Sequence, residues 1–222
     1  PALRERIARH YVETYGVTVE PERIVLTCGA SPALVLALSA AFRPGDQVAL
    51  ARPGYVAYRN TLKALHMEPV EIACGPESRF QLTAAHLEAL DPAPQGVILA
   101  SPANPTGTII AAEELEKIAK VCAARGIRIV SDEIYHGLSY VGPARSMLEF
   151  APDALIVNSF SKYFSMVAWR LGWLIAPPEL LGRARALVGN LFLTAPSLSQ
   201  HAGLAAMDAR DELEGHIAVY RA

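Results

Sequence analysis

Cysteine is scarce in this sequence. Three are present in 222 residues, Cys28, Cys74 and Cys122, far apart and with no C-x-x-C pair among them. An odd, scattered set excludes a disulfide framework and a cysteine-rich zinc site. It fits buried, inert thiols in a reducing cytoplasm, and no metal is expected. A surplus of one charge is lacking too. The formal net charge is -2 and no Lys/Arg block stands out, so nothing advertises a nucleic-acid or membrane-surface partner. Long hydrophobic runs are absent. The longest, "SPALVLALSAAF" (31–42), is too short to span a bilayer and opens like a helix. There is no repeat, no low-complexity tract and no clear interdomain linker. What remains is 52% apolar and only 19% charged, which is the composition of one large packed domain and not of a disordered chain.

No basic stretch followed by an apolar one opens the chain. Pro1 runs at once into "LRERIARHYVETY", where Leu3, Ile7, Tyr11 and Tyr15 recur at helical spacing, and the sequence stops in "GHIAVYRA" without a stop signal. The expectation is an internal piece of a longer protein.

Between these ends, β-rich runs alternate with helical patterns. Strands are expected at 23–28, 47–51, 68–73, 96–101, 127–133, 154–160 and 171–176, and helices at 31–42, 55–66, 83–90, 111–125, 178–191 and 196–220. Several strand candidates, such as "GVILAS" and "ALIVNSF", are continuous and not alternating, as in strands covered on both faces. The helix at 111–125 carries its acidic residues early and its basic ones late, and Gly126 stands at its stop. This order predicts an α/β fold: a mainly parallel sheet of roughly seven strands with helices on both faces and right-handed crossovers.

Ligands of such sheets collect at the carboxyl ends of the strands, so the residues just after each strand carry the functional argument. "TCGASPAL" (27–34) reads as a strand, a glycine turn and a helix start. Ser31 is placed as N-cap and Pro32 as the first helical residue, which makes either an ordinary capped turn or an anion site. Gly29-x-Ser31-x-Ala33 also approximates the G-x-S-x-G elbow of serine hydrolases, without an HGGG-type companion. "SPANPTG" (101–107) holds Asn104 between prolines, where X-Pro bonds are candidates for the cis form; the segment is a rigid turn or a fixed hydrogen-bond donor. "IVSDEIY" (129–135) sets Asp132 at the tail of an apolar strand and Tyr135 a turn further on. The carboxylate either caps the next helix or turn, or balances a cationic ligand atom. In "SFSKYFSMVAWR" (159–170), Ser159-x-x-Lys162 matches S-x-x-K, but S-D-N and K-T-G are missing. A lone lysine is usually a surface residue, yet Phe160, Tyr163, Phe164 and Met166 flank this one. A lysine amine taken out of water becomes a nucleophile toward carbonyls.

Together and in this order, "CGASPAL", "PGYVAY", "SPANPTG", "SDEIY" and "SFSKYFSMVAWRLGW" resemble the class I/II aminotransferase family of fold-type I pyridoxal-phosphate enzymes, from the first helix to beyond residue 200. The resemblance implies that the chain (1–222) is the cofactor-binding large domain, with 178–222 leading toward a small domain. It implies pyridoxal 5'-phosphate as cofactor, amino acid and 2-oxo acid as substrates, ping-pong chemistry through a Lys162 aldimine, and a homodimer. Lys162 would hold the cofactor aldehyde and then shuttle the proton. Asp132 would pair with the pyridine nitrogen and keep it protonated. Tyr135 and Asn104 would bond the ring's 3-oxygen, and Tyr55 would stack on the ring. The phosphate would sit at Ala30 and Ser31 with help from Ser159, and Arg170 would fork it. Ser161, Ser165 and the histidines receive no role, and Glu133 is left as structural. In the family a substrate-carboxylate arginine lies in the small domain and site-closing Gly and Tyr elements lie upstream; neither has a counterpart within this sequence.

Three other readings compete. A lyase or decarboxylase of the same fold would use most of the same residues. A cofactor-binding sensor domain of a regulator would keep them without turnover. A serine hydrolase would use Ser31 with Asp132 and His136 or His201, leaving Lys162, Arg170 and "SPANPTG" unexplained.

Overall fold

The computed structural model describes residues 1–221. All seven expected strands form: β1 (Ile24–Thr27), β2 (Gln47–Arg52), β3 (Glu68–Ala73), β4 (Gly96–Ala100), β5 (Arg128–Asp132), β6 (Leu155–Ser159) and β7 (Gly172–Ile175). They make one sheet in the order β1-β7-β6-β5-β4-β2-β3. The pairings from β3 through β2, β4 and β5 to β6 are parallel, and β7 runs antiparallel to both β6 and β1. The sheet is therefore mainly parallel, as expected, with a single reversed strand.

The continuous apolar runs are explained by two cores, one on each face. Neighbouring residues of a central strand point into different ones. Val97, Leu99, Ile129 and Ile156 join the core that also holds Leu3, Ile7 and Tyr11 of helix α1 (Ala2–Tyr15) and Leu115, Ile118 and Cys122 of α5 (Ala112–Arg125). Ile98, Val130, Leu155 and Val157 join the opposite core, against α2 (Ala30–Ala41), α3 (Val56–Ala64) and α6 (Pro178–Leu191). Each fully buried aliphatic side chain stabilises by roughly 1.5–3 kcal/mol, so both faces contribute to holding the sheet. The short α4 (Ala84–Glu88) starts at a capping box made by Thr83 and His86.

Two local expectations are corrected. The helix expected at 196–220 is two helices, α7 (Ser197–Asp208) and α8 (Arg210–Arg221). Arg6 of α1 bonds the Met207 carbonyl at 2.9 Å and the Asp208 carboxylate at 2.9 Å, which takes an acceptor that a continuous helix would need. Ser31 is not the N-cap of α2. Gly29 is, with φ 103, and its carbonyl accepts the Thr27 hydroxyl at 2.8 Å, so the chain turns two residues before Ser31. No helix among the described residues is long and apolar enough to cross a membrane.

Strand direction places the strand ends together. β1, β2, β4, β5 and β6 all run the same way, so their carboxyl ends share one edge of the sheet. β7 runs the other way, so its first residue, Gly172, lies at that same edge, paired with both Thr27 and Ser159. A Cβ on Gly172 would come within 2.7 Å of the Gly29 carbonyl carbon and 2.8 Å of the Asn158 carbonyl oxygen. Only glycine lets the turn after β1 fold down onto β6 and β7.

Candidate active site

A cavity of about 220 Å³ opens at this edge. Eight of the nine residues that the sequence singles out line it. Ala30 and Ser31 come from the first turn of α2, Tyr55 from the start of α3, Asn104 from the loop after β4, Asp132 and Tyr135 from the end of β5, Lys162 from the loop after β6, and Arg170 from the approach to β7. Ser159 is the exception. It is buried beneath the wall, where its hydroxyl accepts the Ser161 N–H at 3.1 Å, and Ser161 lines the cavity in its place. Ser101–Pro102 and Asn104–Pro105 are both cis.

The cavity has a charged pattern. On one side, the N-terminus of α2 offers the first-turn N–H groups of Ala30 and Ser31, which no helical carbonyl can take. Arg170 lies over this turn: its guanidinium donates to the carbonyls of Val167 at 2.9 Å and Cys28 at 3.4 Å, and a Cβ on Gly29 would stand 2.5 Å from it. Two of its five N–H donors are thus used and the rest are left for an anion. Lys162 is partly buried, as its apolar neighbours suggested, whereas Arg170 is exposed and not the buried cation expected; Phe160, Phe164 and Met166 go into the core. The Lys162 Nζ stands 5.6 Å from the centre of the Tyr135 ring.

At the cavity floor, Asp132 is 7% exposed. Burial raises its proton affinity above the usual carboxylate range, and two hydrogen bonds pull it back: Oδ2 accepts the Tyr58 hydroxyl at 2.7 Å, and Oδ1 accepts the Ile134 N–H at 3.1 Å. Burial and the Asp132 charge together raise the Tyr135 hydroxyl, and the Asn104 side chain partly offsets that. Tyr55 stands at the mouth, 41% exposed, with its ring edge-on to Tyr58 at 5.4 Å.

The turn after β5 has two faces. Asp132 and Tyr135 look into the cavity, while Glu133 and His136 look away and lock the turn from behind. Glu133 is 1% exposed, and its Oε1 accepts from Ser146 Oγ at 3.0 Å, Met147 N at 2.9 Å and Ser131 Oγ at 3.3 Å. Its Oε2 is, among the described residues, the buried side-chain polar atom without a partner. His136 Nδ1 meets the Tyr15 hydroxyl at 2.7 Å and Nε2 meets the Ser101 carbonyl at 2.9 Å. Glu133 and His136 approach to 3.7 Å, close enough to be counted as an ion pair. Burial makes them a neutral couple instead, pushing Glu133 up to about 8 and His136 down to about 4. The geometry agrees: with Nε2–H on the Ser101 carbonyl and Nδ1 accepting from Tyr15, a neutral imidazole is fully satisfied.

Sequence reasoning missed Tyr58 and Ser161 at the cavity. Both lie inside the quoted motifs. Tyr58 comes three residues after Tyr55 in "PGYVAY", a spacing that puts both on one helix face, and that was the signal available. The hydrolase reading finds no histidine beside Ser31. His136 is committed behind the turn, His201 is exposed on α7, and neither lines the cavity.

The open α/β sheet thus gathers a lysine, a buried aspartate and an arginine-braced helix N-terminus at its strand ends, and comparison with known proteins places the chain in a family. The family model described as "Aminotransferase class I and II" matches residues 1–222. A valine–pyruvate aminotransferase of Mycobacterium tuberculosis is 48% identical over 99% of this chain and 58% of its own length. An aspartate aminotransferase of Geobacillus stearothermophilus is 34% identical over 96% of this chain and 56% of its own. Among solved structures, an aminotransferase from Mycobacterium tuberculosis superposes with a TM-score of 0.95 at 48% identity, covering 98% of this chain and 57% of that one. The chain belongs to the class I and II aminotransferase family. It spans little more than half the length of these relatives.

Proposed function

We propose that the chain is the cofactor-binding large domain of a pyridoxal-phosphate-dependent aminotransferase, which moves an amino group from an amino acid to a 2-oxo acid in two half-reactions. One observation carries the reading: a single cavity holds a primary amine, a buried carboxylate and an anion-binding helix end, with Lys162, Asp132 and Arg170 on its wall. The donor set fits the cofactor. A dianionic phosphate suits the Ala30–Ser31 turn under Arg170, and the glycine at position 29 keeps room for that guanidinium. A cationic ring nitrogen suits Asp132, whose two bonded oxygens still have lone pairs free. When bound, the cofactor supplies a carbonyl that takes up amino groups and a protonated ring that withdraws electrons from the substrate carbon.

The residues of the chain do the rest. Lys162 presents the amine that holds the cofactor, and it carries the proton that leaves the substrate carbon. Asp132 keeps the ring nitrogen protonated through its charge. Tyr135 and Asn104 steady the ring's 3-oxygen, and Tyr55 covers the ring at the mouth. Ser31, Ser161 and Arg170 anchor the phosphate, with Ser159 bracing Ser161 from below. The full protein acts in the cytoplasm as a homodimer, with a small domain and upstream elements that complete the substrate side. The names of the relatives support substrates drawn from amino acids and 2-oxo acids.

The test is reductive trapping. The chain is mixed with pyridoxal 5'-phosphate, reduced with borohydride and digested; the expected result is a phosphopyridoxyl adduct on Lys162 by mass spectrometry. A colourless chain labelled at Ser31 by a serine-directed phosphonate would overturn the reading. In the full-length protein, single-turnover loss of the amino group to a 2-oxo acid separates transamination from a lyase, a decarboxylase or a silent sensor.

A further inference from the structure

Tyr58 touches the carboxylate at the cavity floor, and none of the roles assigned above uses it. It is 6% exposed, sits on α3 one turn after Tyr55 and packs into the core between α2 and the sheet. Its hydroxyl donates to Asp132 Oδ2 at 2.7 Å, a bond that links positions 74 residues apart. We propose that Tyr58 is a positioning residue, whose hydroxyl holds the Asp132 carboxylate in one orientation for a cationic ring atom of the cofactor. The last clause rests on the function proposed above; the coupling of Tyr58 to Asp132 does not.

Three features of the arrangement support it. First, the donor is permanent. Burial and the neighbouring Asp132 charge raise the Tyr58 hydroxyl well above its usual 10, so it donates throughout the range in which proteins work. Second, it opposes the cost of burying the carboxylate. Asp132 lies deep in the fold with one donor on each oxygen, Tyr58 on Oδ2 and the Ile134 N–H on Oδ1. Without the phenol, burial acts against the charged form with only one N–H to answer it. Third, the bond fixes direction. Ile134 is two residues away on the same turn and moves with any shift of Asp132, whereas Tyr58 is anchored on a separate element, helix α3, in the core that also holds Val130 of β5. The other ionisable groups that face Asp132 are Tyr135 on the following turn, Lys162 across the cavity and Glu133 behind β5, which burial keeps neutral. None of them donates a hydrogen bond to Asp132. Among the described residues, Tyr58 is the side chain that does.

The substitution Tyr58→Phe keeps the ring and removes only the donor. Two measurements read it. In the cofactor-free chain, carboxyl carbon-13 NMR of labelled aspartate tracks the Asp132 titration; its midpoint is expected to rise by roughly one pH unit in Tyr58→Phe, the tenfold change in proton affinity that a hydrogen bond to a charged group supports. An unchanged midpoint overturns the proposal, whether or not the chain takes up any cofactor. In equilibrium binding of pyridoxal 5'-phosphate, Tyr58→Phe is expected to weaken affinity about tenfold in the wild-type background and less than about twofold in the Asp132→Asn background. An equal loss in both backgrounds would mean that Tyr58 acts through packing, and overturns it. Replacement of Tyr58 by 3-fluorotyrosine, a more acidic donor of almost the same size, provides a variant that folds if Tyr58→Phe does not. It is expected to lower the Asp132 midpoint, and a rise overturns the proposal. Failure of the wild-type chain to bind the cofactor would instead remove the proposed function and leave the titration to decide the role of Tyr58.

Discussion

Glu133 stands back to back with Asp132, and its buried carboxyl makes the stability of the chain depend on pH in a calculable way. The perturbation is Glu133→Gln, an isostere that keeps the acceptor bonded to Ser146 and Met147 and cannot ionise. In the folded chain Glu133 titrates at about 8, above its usual 4.5. Its contribution is therefore complete below pH 4.5 and is lost as pH rises to about 8. His136 works in the opposite sense. Its folded value of about 4 lies below the usual 6.5, so its contribution grows between those two pH values and is constant above them. The two slopes cancel between pH 4.5 and 6.5, and only the loss from Glu133 remains from pH 6.5 to 8. At ~1.4 kcal/mol per pH unit, that window is worth about 2 kcal/mol. Urea unfolding monitored by circular dichroism at pH 6.5, 7.2 and 8.0 measures it. The wild-type chain is expected to lose about 2 kcal/mol across the window, and Glu133→Gln to lose less than about 0.5 kcal/mol. Equal slopes in the two proteins would refute the argument, because the titrating group would then lie elsewhere.

Three further outcomes are expected. Asp132→Asn keeps measurable cofactor but loses most of the half-reaction rate, since a neutral amide no longer holds the ring nitrogen protonated; stopped-flow absorbance checks it, and a near-normal rate removes Asp132 from its role. Arg170→Ala weakens cofactor retention by roughly ten- to a hundredfold, the value of a charge-assisted bond to phosphate, while changing the absorption spectrum of the bound form little; dialysis against buffer reads the first and a scan reads the second. Gly172→Ala destabilises the chain by about 2 kcal/mol or more, because the added methyl meets two backbone atoms, at 2.7 and 2.8 Å, that no side-chain rotation can clear. A melting temperature within 2 °C of wild type in differential scanning calorimetry would contradict it, given that ~1 kcal/mol shifts a domain of this size by about 2–4 °C.

The elements were legible because their signals are local. Continuous runs such as "GVILA" and "LIVNS" mark strands covered on both faces, and Leu3, Ile7 and Tyr11 mark the inward stripe of α1; each can be read within a few residues. The strand ends were legible for the same reason. Since the parallel strands share a carboxyl edge, naming the residues just past each strand came close to naming the cavity wall. Ser31 was misplaced as a cap because serine before proline is a common helix start, and only the backbone turn at Gly29 moves that start upstream. The single helix expected at 196–220 failed for a longer-range reason: Arg6, about two hundred residues away, takes the Met207 carbonyl and is held there by the Asp208 side chain.

By itself, then, the sequence determined the α/β class, the alternation of strands and helices, and the chemical groups that stand at the strand ends, because all of these derive from periodicity and short motifs. Tertiary structure alone decided the rest. It reversed β7, which brings Arg170 over the Gly29 turn. It directed Glu133 and His136 behind the turn whose front carries Asp132 and Tyr135. It also brought Tyr58 of α3 onto the Asp132 carboxylate of β5. These are contacts between distant parts of the chain, set by strand direction, register and the packing of one helix on one face, and no local pattern encodes them.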